Sequence, residues 1–140
     1  MGAKAKGGVT MKKDITFALS AIDKRYIPHY NTNTWGGEIS VMERKGVAFC
    51  RIAWYDDDPD TVYIDSLSVN KDMRQRGIAR HILTMLETVG CRLGAKQCRL
   101  SVIVNSWIYD WYKRRGYIDY SDHDDSHFIW MQKEIREGKQ

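Results

Sequence analysis

Arg74-Gln75-Arg76-Gly77-Ile78-Ala79 is the stretch on which the reading of this chain turns. It follows a strand-like run, Thr61 to Val69, and opens a segment striped with apolar residues that continues to about Leu93. Ile78, Ile82, Met85, Leu86, Val89 and Leu93 fall on one side of a helical period, and Gly94 is a natural stop. A glycine placed where strand turns into helix leaves several backbone N–H groups unpaired, at the positive end of the helix dipole. Such a corner can cradle a phosphate or pyrophosphate.

Upstream of that corner, Ile15 to Ile22 reads as a first strand of mixed pattern. Asp23 to Gly37, aromatic and polar, reads as a loop with at most a short helix. Glu38 to Arg44 and Val47 to Tyr55 alternate as the arms of a hairpin around Lys45-Gly46. Asp56-Asp57-Asp58-Pro59-Asp60 is a turn that could attract a cationic amine, although a solvated turn explains it better. Downstream, Gln97 to Val104 is a buried strand, and Asn105-Ser106 begin a second helix that closes at Gly116. Tyr117 to Tyr120 and Phe128 to Lys133 complete the chain as short strands around an acidic connection. Helices and strands alternate only in the second half, so the expected class is α/β with a mixed central sheet.

The 140 residues suit one domain, expected over 11–140, behind a small, basic, Gly-rich tail at 1–10 with Met11 as a natural start. A content of 43% hydrophobic and 11% aromatic residues argues for a folded globule. No apolar run suggests a membrane span or a secretory signal. Cys50, Cys91 and Cys98 lie in apolar segments without metal-ligand spacing, as buried reduced thiols do, which points to the cytoplasm. The net charge of +4 is matched by Lys4, Lys6, Lys12 and Lys13 alone, so bulk charge gives no support to nucleic-acid binding. His123 and His127 among Asp122, Asp124 and Asp125 read as a polar loop rather than a metal site.

The spacing Arg74-x-x-Gly77-x-Ala79 after a strand resembles the acyl-CoA signature of the GNAT superfamily of N-acyltransferases. A second element agrees with it: Asn105, Tyr112 seven positions on, and then Gly116-Tyr117. The resemblance covers about Thr61 to Tyr117, and Tyr63-Ile64-Asp65 with Tyr112-Lys113-Arg114-Arg115-Gly116 look like the spermidine/spermine branch. It implies a GNAT-type sheet with splayed strands, acetyl-CoA as acyl donor, a primary amine of a small molecule (a polyamine or aminoglycoside) or of a protein as acceptor, and no metal. The stretch between the first two strands is too short for the two helices that the family has there. The acceptor cleft is therefore expected to be shallow, or completed by a second copy in a homodimer.

The resemblance also assigns roles. Arg74, Arg76, Gly77, Ile78 and Ala79 would hold the pyrophosphate, the backbone at Leu67, Ser68 and Val69 the pantetheine and the oxyanion, and Asn105 the coenzyme arm. Tyr112 would be the general acid, since a phenol can hand its proton to a departing thiolate of similar basicity. Its place among Trp107, Ile108 and Trp111 equally fits a core aromatic. Asp65 is the candidate to take the ammonium proton or to position the amine, while its alternation with Ile64 and Ser66 also fits an outward-facing strand residue. A CoA-binding or partner-binding module of the same fold without activity is the rival expectation.

Overall fold

The computed structural model describes residues 13–120 and 127–137. Helix α1 (Ile15–Leu19) is followed by strands β1 (Tyr26–Asn33), β2 (Gly36–Glu43), β3 (Ala48–Tyr55) and β4 (Asp58–Val69). Helix α2 (Ile78–Arg92), β5 (Gln97–Ile103), α3 (Trp107–Arg114), β6 (Ile118–Asp119) and β7 (Phe128–Glu134) complete it. All seven strands form one mixed sheet in the order β1-β2-β3-β4-β5-β7-β6. Only β4 and β5 are parallel, as the helical crossover between them requires.

Two expectations for the N-terminal region are corrected. Ile15 to Leu19 is helical, with the Asp14 carboxylate accepting from the Phe17 N–H at 3.0 Å as an N-cap. Ala18 is buried, and Ile15, Leu19 and Ile22 pack around it on the core, so the segment carries a helical stripe instead of a strand's alternation. Tyr26 to Asn33, expected as loop, is the outermost strand. Only Tyr26 is buried there, which is why the sequence looks polar and tolerates Pro28. The acidic turn is also shorter than expected, because Tyr55 already pairs with Asp58.

Side chains from alternate positions of β3, β4, β5 and β7 point to one face, where Ile52, Val62, Leu100 and Met131 join Ile82, Leu83, Leu86 and Val89 of α2 in the core. At Gly90 the helix comes so close to β4 that an added Cβ would lie 2.9 Å from Val62 Cγ2. Cys50 and Cys98 are buried and all three cysteines are free thiols, as expected. Glu87, at the edge of this core, accepts from Tyr117 Oη at 2.8 Å and pairs with Lys133 Nζ at 3.0 Å. No helix of the described residues is long and apolar enough to cross a membrane.

Candidate active site

Strands β4 and β5 pair at three positions only, Thr61 with Gln97, Val62 with Cys98 and Tyr63 with Arg99. Beyond Tyr63, β4 stays on β3 and β5 stays on β7, so the two diverge. The gap is a cleft of about 820 Å³, bordered by Ile64–Leu67 on one side and Leu100–Ile103 on the other. Tyr63 sits where the divergence begins, and Ile108 and Tyr112 of α3 line the cleft from the helical face.

A bulge marks the β4 side. Ile52 pairs with Ile64 and Arg51 with Ser66, so Asp65 has no opposite residue in β3. Its carboxylate, 42% exposed, accepts from Arg51 Nε at 2.7 Å. That hydrogen bond, more than the charge alone, raises the guanidinium pKa above its ordinary value. Leu67, Ser68 and Val69 follow the bulge and pair with β3 through Cys50, Phe49 and Ala48.

Tyr112 is a core aromatic whose side chain also reaches the cleft. Its ring is buried and packs edge-on against Trp111 and Tyr117, with centroids at 5.0 and 5.3 Å. Burial, reinforced by Cys50, Cys98 and Glu87, pushes the phenol well above the usual tyrosine range. The hydroxyl makes no hydrogen bond within the described residues, although the residue lines the cleft. It is not a sealed orphan: the one buried side-chain N or O found without a partner among these residues is Arg115 Nε.

Past the end of β4 the chain makes a short turn at Lys71–Met73 and enters α2 through two left-handed residues, Gln75 at φ 66° and Gly77 at φ 79°. Gly77 is the N-cap and offers no side chain, so the first-turn amides of α2 keep their donors free of a side-chain cap. Arg74, Gln75, Arg76 and Gly77 are exposed, and a Cβ built on Gly77 meets nothing within 4 Å. The corner has room for a phosphate group. Arg74 Nε donates to the Val69 carbonyl at 3.1 Å and fastens the corner to the strand. Ile78 and Ala79 are half-buried behind it. Asn105 is exposed and left-handed, φ 63°, directly before Ser106, whose Oγ accepts from the Tyr109 N–H at 3.3 Å and caps α3.

The structure thus brings Asp65, Leu67 and Tyr112 to one cleft, with the turn at 74–79 and Asn105 at the mouths of its two strands. Sequence reasoning missed Arg51, whose partner lies on the neighbouring strand at a register that neither strand's pattern shows. It also missed Tyr63 and Trp130, whose rings meet at 6.1 Å. Their signal was present: large aromatics at the outward positions of strands whose inward positions are already apolar. His123 and its acidic neighbours lie outside the described residues, as does the tail at 1–10. Among the described residues, no group of three or more His, Cys, Asp and Glu side chains could hold a metal ion.

A sheet parted after a parallel pair, with a bulged strand on one side and a left-handed glycine corner leading into a helix, is an acyl-CoA N-acyltransferase architecture. The chain belongs to the GNAT acetyltransferase domain family, which matches residues 35–119, more than half of its length. Among solved structures it is similar to the PaiA N-acetyltransferase of Thermoplasma acidophilum in complex with coenzyme A (16% identity, TM-score 0.59, covering 70% of this chain and 60% of that one). It is similar also to a GNAT family acetyltransferase of Elizabethkingia anophelis with acetyl-CoA bound (12%, 0.59, 81% and 100%) and to Escherichia coli ElaA (23%, 0.54, 71% and 68%). At these identities the likeness is one of fold. A comparison with the curated proteins finds no match.

Proposed function

We propose that this protein transfers an acetyl group from acetyl-CoA directly to a primary amine. The observation that carries the reading is the cleft itself: it opens between β4 and β5, meets the Tyr112 side chain, and lies beyond an uncrowded amide corner at Gly77. Acetyl-CoA supplies an acyl group already activated as a thioester. Amides of Ile78 and Ala79, with the charges of Arg74 and Arg76, hold its pyrophosphate. Asn105 contacts the arm, and the backbone at Leu67 and Val69 lines up with the pantetheine amides in the manner of an added strand.

An N–H near Leu67 or Ser68 meets the negative charge that develops on the carbonyl oxygen. The amine nitrogen bonds to the acyl carbon as the carbon–sulfur bond breaks, and sulfur takes the Tyr112 proton. Asp65, anchored by Arg51, orients the incoming ammonium and, directly or through water, takes the proton that the nitrogen must lose. No covalent acyl-enzyme is needed: Cys50 and Cys98 are sealed in the core, and burial pushes Cys98 up to about 12.

The test is thiol release from acetyl-CoA with a panel of primary amines. Turnover that depends on the amine supports the transferase reading. Tight CoA binding without turnover on any amine would replace it with a binding module of the same fold.

A further inference from the structure

The helices pack on one face of the sheet, and no helix among the described residues covers the opposite one. That face is not polar. Five rings run across it in contact: Trp35 on Tyr55 at 5.7 Å, Tyr55 on Tyr63 at 5.6 Å, Tyr63 on Trp130 at 6.1 Å and Trp130 on Tyr120 at 6.5 Å. Trp35 is 59% exposed, and Tyr55, Tyr120 and Trp130 are close to 40%. The arc is continuous with the cleft, which Tyr55, Tyr63, Tyr120 and Trp130 also line, while Trp35 extends it beyond the cleft's edge. The cause is local: β1 and β2 are joined by Thr34 and Trp35 alone, so nothing is inserted there to roof the face.

Small-molecule sites are concave and enclose most of their ligand. A broad row of half-exposed Trp and Tyr is the composition of a macromolecular contact. Charge narrows the choice. Asp56 and Asp57 are exposed in the turn beside Tyr55, and Asp58 accepts from Tyr63 Oη at 3.2 Å. Arg51 and Arg99 on this face are already engaged, Arg51 by Asp65, and Arg99 by Gln132 at 2.8 Å with its guanidinium over the Tyr120 ring. A nucleic acid would meet carboxylates at the exposed end of its stacking platform. A second copy seated here would close the mouth through which the acceptor must enter.

We infer that the acceptor is an extended, basic polypeptide segment that lies along the arc from Trp35 and delivers a lysine amine into the cleft at Tyr63. This rests on the transferase reading and deepens it. Trp35 and Asp57 then act at a distance from the reacting atoms, as determinants of specificity.

The experiment compares a short basic peptide, blocked at its N-terminus and carrying one lysine, with n-butylamine and spermidine. The peptide should exceed both amines in kcat/KM by about 100-fold, and Trp35→Ala should weaken its binding, read by fluorescence anisotropy without acetyl-CoA, about tenfold. Trp35→Tyr should restore most of that loss, and Asp57→Lys should reproduce it without touching an aromatic ring. Equal use of the small amines, or a change of less than about twofold in both variants, overturns the inference while leaving the transferase intact. A stable dimer that Trp35→Ala dissociates assigns the face to a second copy and overturns it too. Absence of thiol release with every amine overturns the transferase reading and this inference with it.

Discussion

Asp65 stands opposite no residue of β3, yet its carboxylate is held 2.7 Å from Arg51 Nε of that same strand. The pair is well exposed on both sides, so it contributes little to folding, on the order of 0.2–1 kcal/mol. Its value is positional: it fixes a carboxylate at the edge of the cleft. Asp65→Asn should therefore leave urea stability nearly unchanged and lower kcat/KM for the amine by about tenfold or more near neutral pH. An unchanged rate would take Asp65 out of the mechanism.

Tyr112→Phe removes a hydroxyl that has no hydrogen-bond partner in the described residues and keeps the ring that the core needs. Stability should hold while kcat falls about 100-fold and the affinity for CoA, measured by calorimetry, stays within about twofold. Because burial raises the phenol above its ordinary value, it stays protonated throughout the working range. The rate should climb with pH as the amine loses its proton, with no decline from this group below about pH 10. A fall between neutrality and pH 9 would point to another acid.

The buried thiols and phenols set an alkaline limit. Burial raises Cys50, Cys98, Tyr112 and Tyr117 in the folded chain, Cys98 to about 12. Each keeps its proton when folded and releases it when unfolded, from about pH 8.5 for thiols and about 10 for phenols. Above those values the folded state binds more protons than the unfolded one, so stability falls as pH rises. Thermal melts should decline from about pH 9, less steeply in Cys98→Ala; a flat profile to pH 10.5 would contradict the burial of these groups.

Arg76 is exposed and forms no ion pair within the described residues, so its charge is available at the corner before α2. Arg76→Ala should raise the Kd for CoA by about three- to tenfold at low salt, with the difference shrinking as ionic strength rises. A variant that binds CoA as the parent does would move the pyrophosphate away from this turn.

The second half of the chain was legible because its signals are local. The stripe from Ile78 to Leu93, the stop at Gly94 and the exposed corner at Gly77 follow from spacing and from a backbone that only glycine enters freely. The first half was not, for two different reasons. The five-residue α1 is too short to show more than one turn of periodicity, and β1 lies at the edge, where side chains on both faces meet water. Of the residues at the cleft, Tyr112 and Asp65 were singled out by the sequence, and Arg51 beside Asp65 was not. Its contact with Asp65 depends on how β3 and β4 are registered against each other, which the pattern of either strand alone does not show. The aromatic arc was hidden likewise, since its members come from separate elements and meet only once the sheet is assembled.

The three paired positions that hold β4 to β5 make the sheet two leaves on a narrow spine. Thr61, fully buried, reinforces it: its hydroxyl donates to Asp58 at 3.0 Å and receives Gln97 Nε2 at 2.8 Å. With the coenzyme held at the turn as proposed, what crosses to the acceptor's side would pass above that spine, and the angle between the leaves would set how far apart donor and acceptor are held. A packing defect at Thr61 would therefore be felt at the mouth of the cleft as a change in pitch, although Thr61 is fully buried and does not line the cleft.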